Sequence, residues 1–180
     1  MNDFDMIGRR GEQILDTGLF DMWSKLFFKS INDFDIVEIS SKYVDYVSNI
    51  IKNRWKVDDV ECLSYVNSYL LKKNGDNCFV ATEDELPIGV GVFNADNDVG
   101  IDVHPWCGLL WVEPEYRGSG VGYQLTLERF EWARKLGYKK IYLCFDESNI
   151  ESYHIKHGWK RTGTTGIWHG IPEIIMEHEL

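Results

Sequence analysis

The stretch from Gly108 to Gly137, GLLWVEPEYRGSGVGYQLTLERFEWARKLG, constrains this chain more than any other. An apolar run, Leu109 to Val112, breaks at Pro114. Glycine then occupies alternate positions (Gly118, Gly120, Gly122), and a helical pattern follows that closes at Gly137. Strand, glycine loop and helix together make an anion cradle. The N–H groups of a helix's first turn have no carbonyl of their own, and the helix dipole adds partial positive charge there. Glycine lets that backbone approach a phosphate and turn through positive φ without steric cost. A phosphate-bearing ligand is therefore the first expectation.

Two common phosphate loops fail on spacing. The dinucleotide fingerprint G-x-G-x-x-G would place its last glycine on Tyr123 or Leu125, and no Gly-Lys-Ser or Gly-Lys-Thr of a P-loop occurs. What fits is V-x-P-x-x-R-G-x-G-x-G, from Val112 to Gly122. It resembles the acyl-CoA-binding motif of the GNAT superfamily of N-acetyltransferases, whose core [QR]-x-x-G-x-[GA] falls here on Arg117, Gly120 and Gly122. A second stretch, DESNIESYHIKHGW (Asp146 to Trp159), resembles the other signature of that family. Asn149, Ser152, His154, Gly158 and Trp159 match it. His154 stands where Tyr is commonest, and Asn149 lies closer to it than usual.

The resemblance covers residues 35–180 and implies an α/β fold, a mixed sheet of about six or seven strands with helices on both faces. In such a fold acyl-CoA lies where strands four and five splay apart. Its pyrophosphate would rest on the amides of Arg117, Gly118, Ser119, Gly120, Val121 and Gly122, the Arg117 amide mattering more than its side chain. The pantetheine arm would run beside the backbone of Leu110, Trp111 and Val112 like an added strand, with Asn149 bonded to it. Acetyl-CoA would be the co-substrate and a primary amine of a small molecule or protein the acceptor. The Val112 N–H would face the oxyanion, and His154, with Tyr153 as the alternative, would meet the departing thiolate. Many relatives carry a Glu base on strand four. Here those positions are Trp106, Cys107, Gly108 and Leu109, which leaves Asp102, His104, Asp146 or a water chain, with Glu113 expected to face solvent. A second reading stays open: a non-catalytic acyl-CoA-binding domain acting as a sensor or interaction module.

Residue patterns place the remaining elements. DIVEIS (Asp35 to Ser40) alternates as a strand, and two amphipathic helices follow, the second capped by Asp58 or Asp59 and stopped near Gly75. Tyr43 and Trp55, on the first of them, either pack the core or face substrate. CFVAT (78–82) and IGVGVF (88–93) read as an antiparallel pair. Gly89 and Gly91 leave one face of the second strand bare, for a bulge or a close backbone neighbour. IDVHPW (101–106) is either the start of strand four or a loop, because Pro105 interrupts pairing. The helix after the glycine loop buries Val121, Leu125, Phe130, Ala133 and Leu136. KKIYLCF (139–145) is a strand, and 160–168 with 173–179 a terminal hairpin. In residues 1–34, Leu15, Leu19, Met22 or Trp23, and Leu26 recur at helical spacing after Thr17. They predict a helical extension that docks on the same domain or on a second copy, making a homodimer.

Composition narrows the partners. Apolar residues make up 44% and the net charge is −10, so a packed core is expected and binding to nucleic acid or an anionic membrane is not. An acidic surface suits a cationic or amine substrate. Cys62, Cys78, Cys107 and Cys144 form no CxxC pair, as for reduced thiols in the cytoplasm. The N-terminal segment does not read as a secretory signal, and no apolar run is long enough to span a membrane. His154 and His157 lack the further ligands that a metal site needs.

Overall fold

The structure is a computed structural model that describes residues 34–96, 99–146 and 150–180. The helix expected between Thr17 and Lys29 lies outside these residues, as does Asn149. The chain enters the sheet with β1 (Asp35–Glu38), turns once as a 3-10 helix, and forms α1 (Val44–Trp55) and α2 (Asp59–Leu71). The Asp58 side chain caps α2 by accepting the Glu61 N–H at 2.9 Å. Strands β2 (Asn77–Glu83) and β3 (Leu86–Asn94) pair antiparallel, and Val99 to Pro105 then run as a loop to β4 (Trp106–Val112). Pro105 thus ends the loop rather than interrupting a strand. After the glycine loop come α3 (Val121–Lys135), β5 (Lys140–Phe145), the short α4 (Glu151–Lys156), and the hairpin β6 (Lys160–Trp168) and β7 (Ile171–Glu179).

These strands make one mixed sheet in the order β1-β2-β3-β4-β5-β7-β6, parallel only between β4 and β5. Alternation along β2 shows how the helices cover it. Cys78 and Val80 pack with Val47, Ile51 and Val66 of α1 and α2. Phe79 and Ala81, pointing the other way, pack with Val121 and Leu125 of α3. The sheet is covered on both faces. The bare face of β3 seats α3: a side chain at Gly89 would begin 3.2 Å from Leu125 and Val121, and one at Gly91 would begin 3.3 Å from Arg129 Nε. Both expected explanations are observed there: besides the close approach, β3 carries an additional residue at Ile88, where its register with β2 steps from Ala81↔Gly89 to Thr82↔Pro87.

A bulge elsewhere positions the site. Between β3 and β4 the register runs Gly91↔Leu110 and then Phe93↔Cys107, so two steps on β3 match three on β4. The additional residue falls at Gly108 and Leu109. A Cβ on Gly108 would begin 2.6 Å from Asn94 Oδ1 and 2.7 Å from Val92 Cγ2, so only glycine fits. A bulge bends its strand and ends regular pairing. Beside it, β4 and β5 share one bridge, Trp106↔Tyr142, and then part. Past that point the two carboxyl ends leave a slot in the middle of the sheet.

Candidate active site

Past the Trp106↔Tyr142 bridge, the β4 edge of the slot has no partner strand among the described residues. Glu113 donates its N–H to Ile88 O of β3 at 2.9 Å. Successive residues of a strand point their backbone groups to opposite sides, so the N–H and C=O of Leu110 and Val112 are directed away from β3, into the slot. That is a strand edge open to an extended partner.

The glycine loop closes one end of the slot. After a 3-10 turn at Pro114–Tyr116, Gly118 and Gly120 take φ of 83° and 94°, and α3 begins at Val121. The N–H groups of Gly118, Gly120, Val121, Gly122 and Tyr123 meet no acceptor among the described residues. Five donors thus converge at a helix N-terminus, a ready anion site. Two neighbours behave differently from expectation. The Arg117 N–H is bonded to Pro114 O at 3.3 Å, and the Ser119 N–H lies 3.4 Å from Tyr116 O. The Arg117 side chain folds back, donating from Nε to Val112 O at 3.1 Å and lying 4.7 Å over the Trp111 ring. Arg54 of α1 stands over the same ring at 4.5 Å. Arg117 therefore contributes fixed positive charge beside the loop, while its amide holds the turn.

The two residues expected to meet the thiolate separate in space. His154 lies half-buried with its ring stacked on Phe145 at 5.4 Å and edge-on to Trp159 at 6.1 Å. Burial, then the Arg129 guanidinium and His157, push its pKa down to about 4. It is neutral at physiological pH. Tyr153, one residue earlier, reaches the slot: a Cβ on Gly122 would stand 3.4 Å from its hydroxyl, 3.5 Å from Val112 and 3.9 Å from Leu110. Burial raises the Tyr153 phenol above its ordinary value, so it stays protonated. The hydroxyl, rather than the imidazole, stands at the mouth between β4 and α3.

Two further residues, Arg129 and Glu113, were not legible as they are found, and Trp55 takes the core-packing place, one of its two expected places. Arg129 is 2% exposed, donates to Leu125 O at 3.2 Å and to Thr126 Oγ1 at 2.9 Å, and has no ion-pair partner among the described residues. Its charge acts on Tyr153, His154 and Cys107 alike. Glu113 does not face solvent. It accepts from Tyr46 Oη at 2.9 Å and Trp111 Nε1 at 3.3 Å, joining α1 to the end of β4. Trp55 packs edge-on against Tyr65 at 4.9 Å and Trp168 at 5.9 Å, and its ring would stand 3.4 Å from a Cβ on Gly108. Of the expected bases, Asp102 and His104 are exposed on the loop before β4, and Asp146 is exposed at the end of β5. Among the described residues no group of three or more His, Cys, Asp or Glu is placed to hold a metal.

This geometry coincides with a family assignment. The model of the acetyltransferase (GNAT) family matches residues 44–158, well over half of the chain. The chain belongs to the GNAT acetyltransferase family. No curated protein sequence matches it, so similarity to solved structures is at the level of fold. The PaiA N-acetyltransferase of Thermoplasma acidophilum, solved with coenzyme A, is 18% identical, with a TM-score of 0.58 over 83% of this chain and 100% of that one. YncA from Salmonella typhimurium, solved with acetyl-CoA, is 20% identical, with a TM-score of 0.63 over 83% of this chain and 95% of its own. An acetyltransferase from Streptococcus agalactiae is 18% identical, with a TM-score of 0.62 over 83% and 99%. Family and fold agree with the mixed sheet described above. No described helix of this GNAT member is long and apolar enough to cross a membrane.

Proposed function

We propose that the protein is an N-acetyltransferase that moves an acetyl group from acetyl-CoA directly to a primary amine of a small molecule or protein. One observation carries the reading: five amides from Gly118 to Tyr123 without an acceptor among the described residues adjoin a strand edge that presents the Leu110 N–H and C=O and the Val112 N–H to the slot. The first set suits a diphosphate and the second an amide-bearing arm, and they stand in the order that coenzyme A presents them. The residues Leu110, Val112, Gly118, Gly120, Val121 and Gly122 then hold the cofactor through backbone, with Arg117 adding charge, while the backbone of Trp111 pairs with β3.

The chemistry follows from the groups around the slot. The amine nitrogen attacks the thioester carbonyl, a C–N bond forms and the C–S bond breaks. The Val112 N–H stabilises the oxyanion. Tyr153 donates a hydrogen bond to the sulfur. Full proton transfer from a phenol above 10 to a thiolate near 8.5 is uphill, so stabilisation by the hydroxyl rather than protonation is its role. His154 packs behind it and holds its place. The net charge of −10 suits a cationic acceptor arriving as an ammonium.

Calorimetry with coenzyme A, followed by thiol release from acetyl-CoA across a panel of primary amines, tests the reading. Binding together with acetylated product supports it. Binding without transfer to any amine would favour a sensor domain instead.

A further inference from the structure

A primary amine is protonated near neutral pH, so transfer to it requires a group that takes the proton. Positions Trp106 to Leu109 of β4 offer none. On β7 one carboxylate is out of place. Glu173 shares its side of the strand with Ile175, the side that packs with Trp106, Cys144 and Trp168. It is only 5% exposed, and no described residue pairs with it or donates to it. A carboxylate left this way in an apolar layer costs stability.

Its height in the sheet is informative. From the Trp106↔Tyr142 bridge β5 runs on to Asp146 just past its end, while β4, with its additional residue at Gly108 and Leu109, runs on to Leu110 and Val112. Phe145 pairs with Ile174, so Asp146 comes beside Glu173. Glu173 therefore lies beside the end of β5, across the slot from the backbone groups that β4 presents to it. It approaches from the face that carries α1, α2 and the Trp55–Tyr65–Trp168 wall. A second buried polar group shares that face. Trp106 is fully buried and its indole N–H has no partner among the described residues. Trp106 and Glu173 thus leave a donor and a carboxylate without partners among the described residues on the same face of the sheet.

We propose that Glu173 is the base of the reaction, taking the proton of the incoming amine directly or through one water, in place of the carboxylate that β4 lacks. This rests on the acetyltransferase reading above. The amine enters along the Trp55–Tyr65–Trp168 wall and its N–H proton passes to Glu173. The freed lone pair attacks the thioester, the C–S bond breaks, the remaining excess proton on the newly bonded nitrogen goes to the departing thiolate to give the free thiol, and the proton on Glu173 leaves to solvent after product release. Burial first, and the Asp146 charge second, raise the Glu173 carboxyl to about 7, where a base has both proton affinity and availability. Among the described residues of neighbouring elements, only Asp146 bears on it. Its surroundings on β6 (Thr165, Gly166, Ile167) are uncharged, and Asp102 and His104 on the preceding loop are exposed.

The test uses the full chain with acetyl-CoA and three probe amines: 1,4-diaminobutane, benzylamine and an N-terminally blocked lysine peptide. In the wild type, kcat/KM with the best probe should rise with pH through a midpoint near 7 and then flatten. Glu173→Gln, close to isosteric and uncharged, should lower kcat about a hundredfold at pH 7. Its residual rate should climb with pH without flattening, and its coenzyme A affinity should be unchanged. Asp146→Asn removes a repelling charge and should shift the wild-type midpoint to lower pH. A Glu173→Gln rate within threefold of wild type, or a midpoint that Asp146→Asn leaves in place, would overturn the assignment while transfer itself stands. Absence of transfer by the wild type to any probe would overturn both readings together.

Discussion

The hydroxyl of Tyr153 lies 3.4 Å from the point where a side chain on Gly122 would begin, with Val112 at 3.5 Å and Leu110 at 3.9 Å. These are ordinary contacts, so the fold has room for a methyl there. Gly122 is also helical, where alanine is favoured by up to about 1 kcal/mol. Gly122→Ala should therefore unfold at the same temperature or a higher one. The methyl would project into the mouth of the slot, and coenzyme A affinity by calorimetry should fall about tenfold, roughly 1.4 kcal/mol. A variant that is less stable yet binds normally would contradict this placement.

Tyr153 and His154 are adjacent in sequence but differ in role. Tyr153→Phe removes a hydrogen bond to the leaving sulfur and should lower kcat about 10- to 100-fold with little change in KM for acetyl-CoA. His154→Gln should alter kcat by less than about threefold, since the ring donates nothing to the slot. Steady-state thiol release for both variants checks the order. A larger loss in His154→Gln would return the catalytic role to the imidazole.

His154 also predicts a pH dependence of stability. Its pKa falls to about 4 in the folded protein, against an ordinary 6.5. The unfolded chain therefore binds the proton more readily. The associated stability is complete above pH 6.5 and is lost as pH falls towards 4. The slope is at most about 1.4 kcal/mol per pH unit, less because the ring is partly exposed. Urea midpoints between pH 7 and 4 should decline less steeply in His154→Gln than in the wild type.

Gly108 should tolerate no side chain. A Cβ would overlap Asn94 Oδ1 at 2.6 Å and Val92 Cγ2 at 2.7 Å, both on the adjoining strand β3. Gly108→Ala should cost roughly 1–3 kcal/mol by overpacking, read as a lower thermal midpoint. Because the same residue bends β4, acetyl-CoA binding should weaken as well.

The sequence revealed the parts of this molecule whose causes are local. Alternate glycines, a proline and an apolar strand are sufficient to specify a loop of free amides, and helix caps and stops such as Asp58 announce themselves within a turn or two. What depends on a neighbour's position was hidden. Glu113 looked solvent-facing until Tyr46 of α1 was seen to reach it at 2.9 Å. His154 matched a motif position, yet the preceding residue points at the slot. The bulge at Gly108 is a mismatch of count between two strands, which neither strand shows by itself. Glu173 left one signal: in EIIMEHE it falls on the buried side of the alternation, with Ile175, where a strand ordinarily carries no charge.

The slot owes its existence to a single surplus residue in one strand, and this separates what must be kept from what can drift. Its walls are peptide groups, which every amino acid carries. Natural variation can therefore rewrite the side chains along β4 almost freely while the number of residues stays the same. Proteins sharing under a quarter of their residues can so retain a common cleft, each dressing its far side for a different guest.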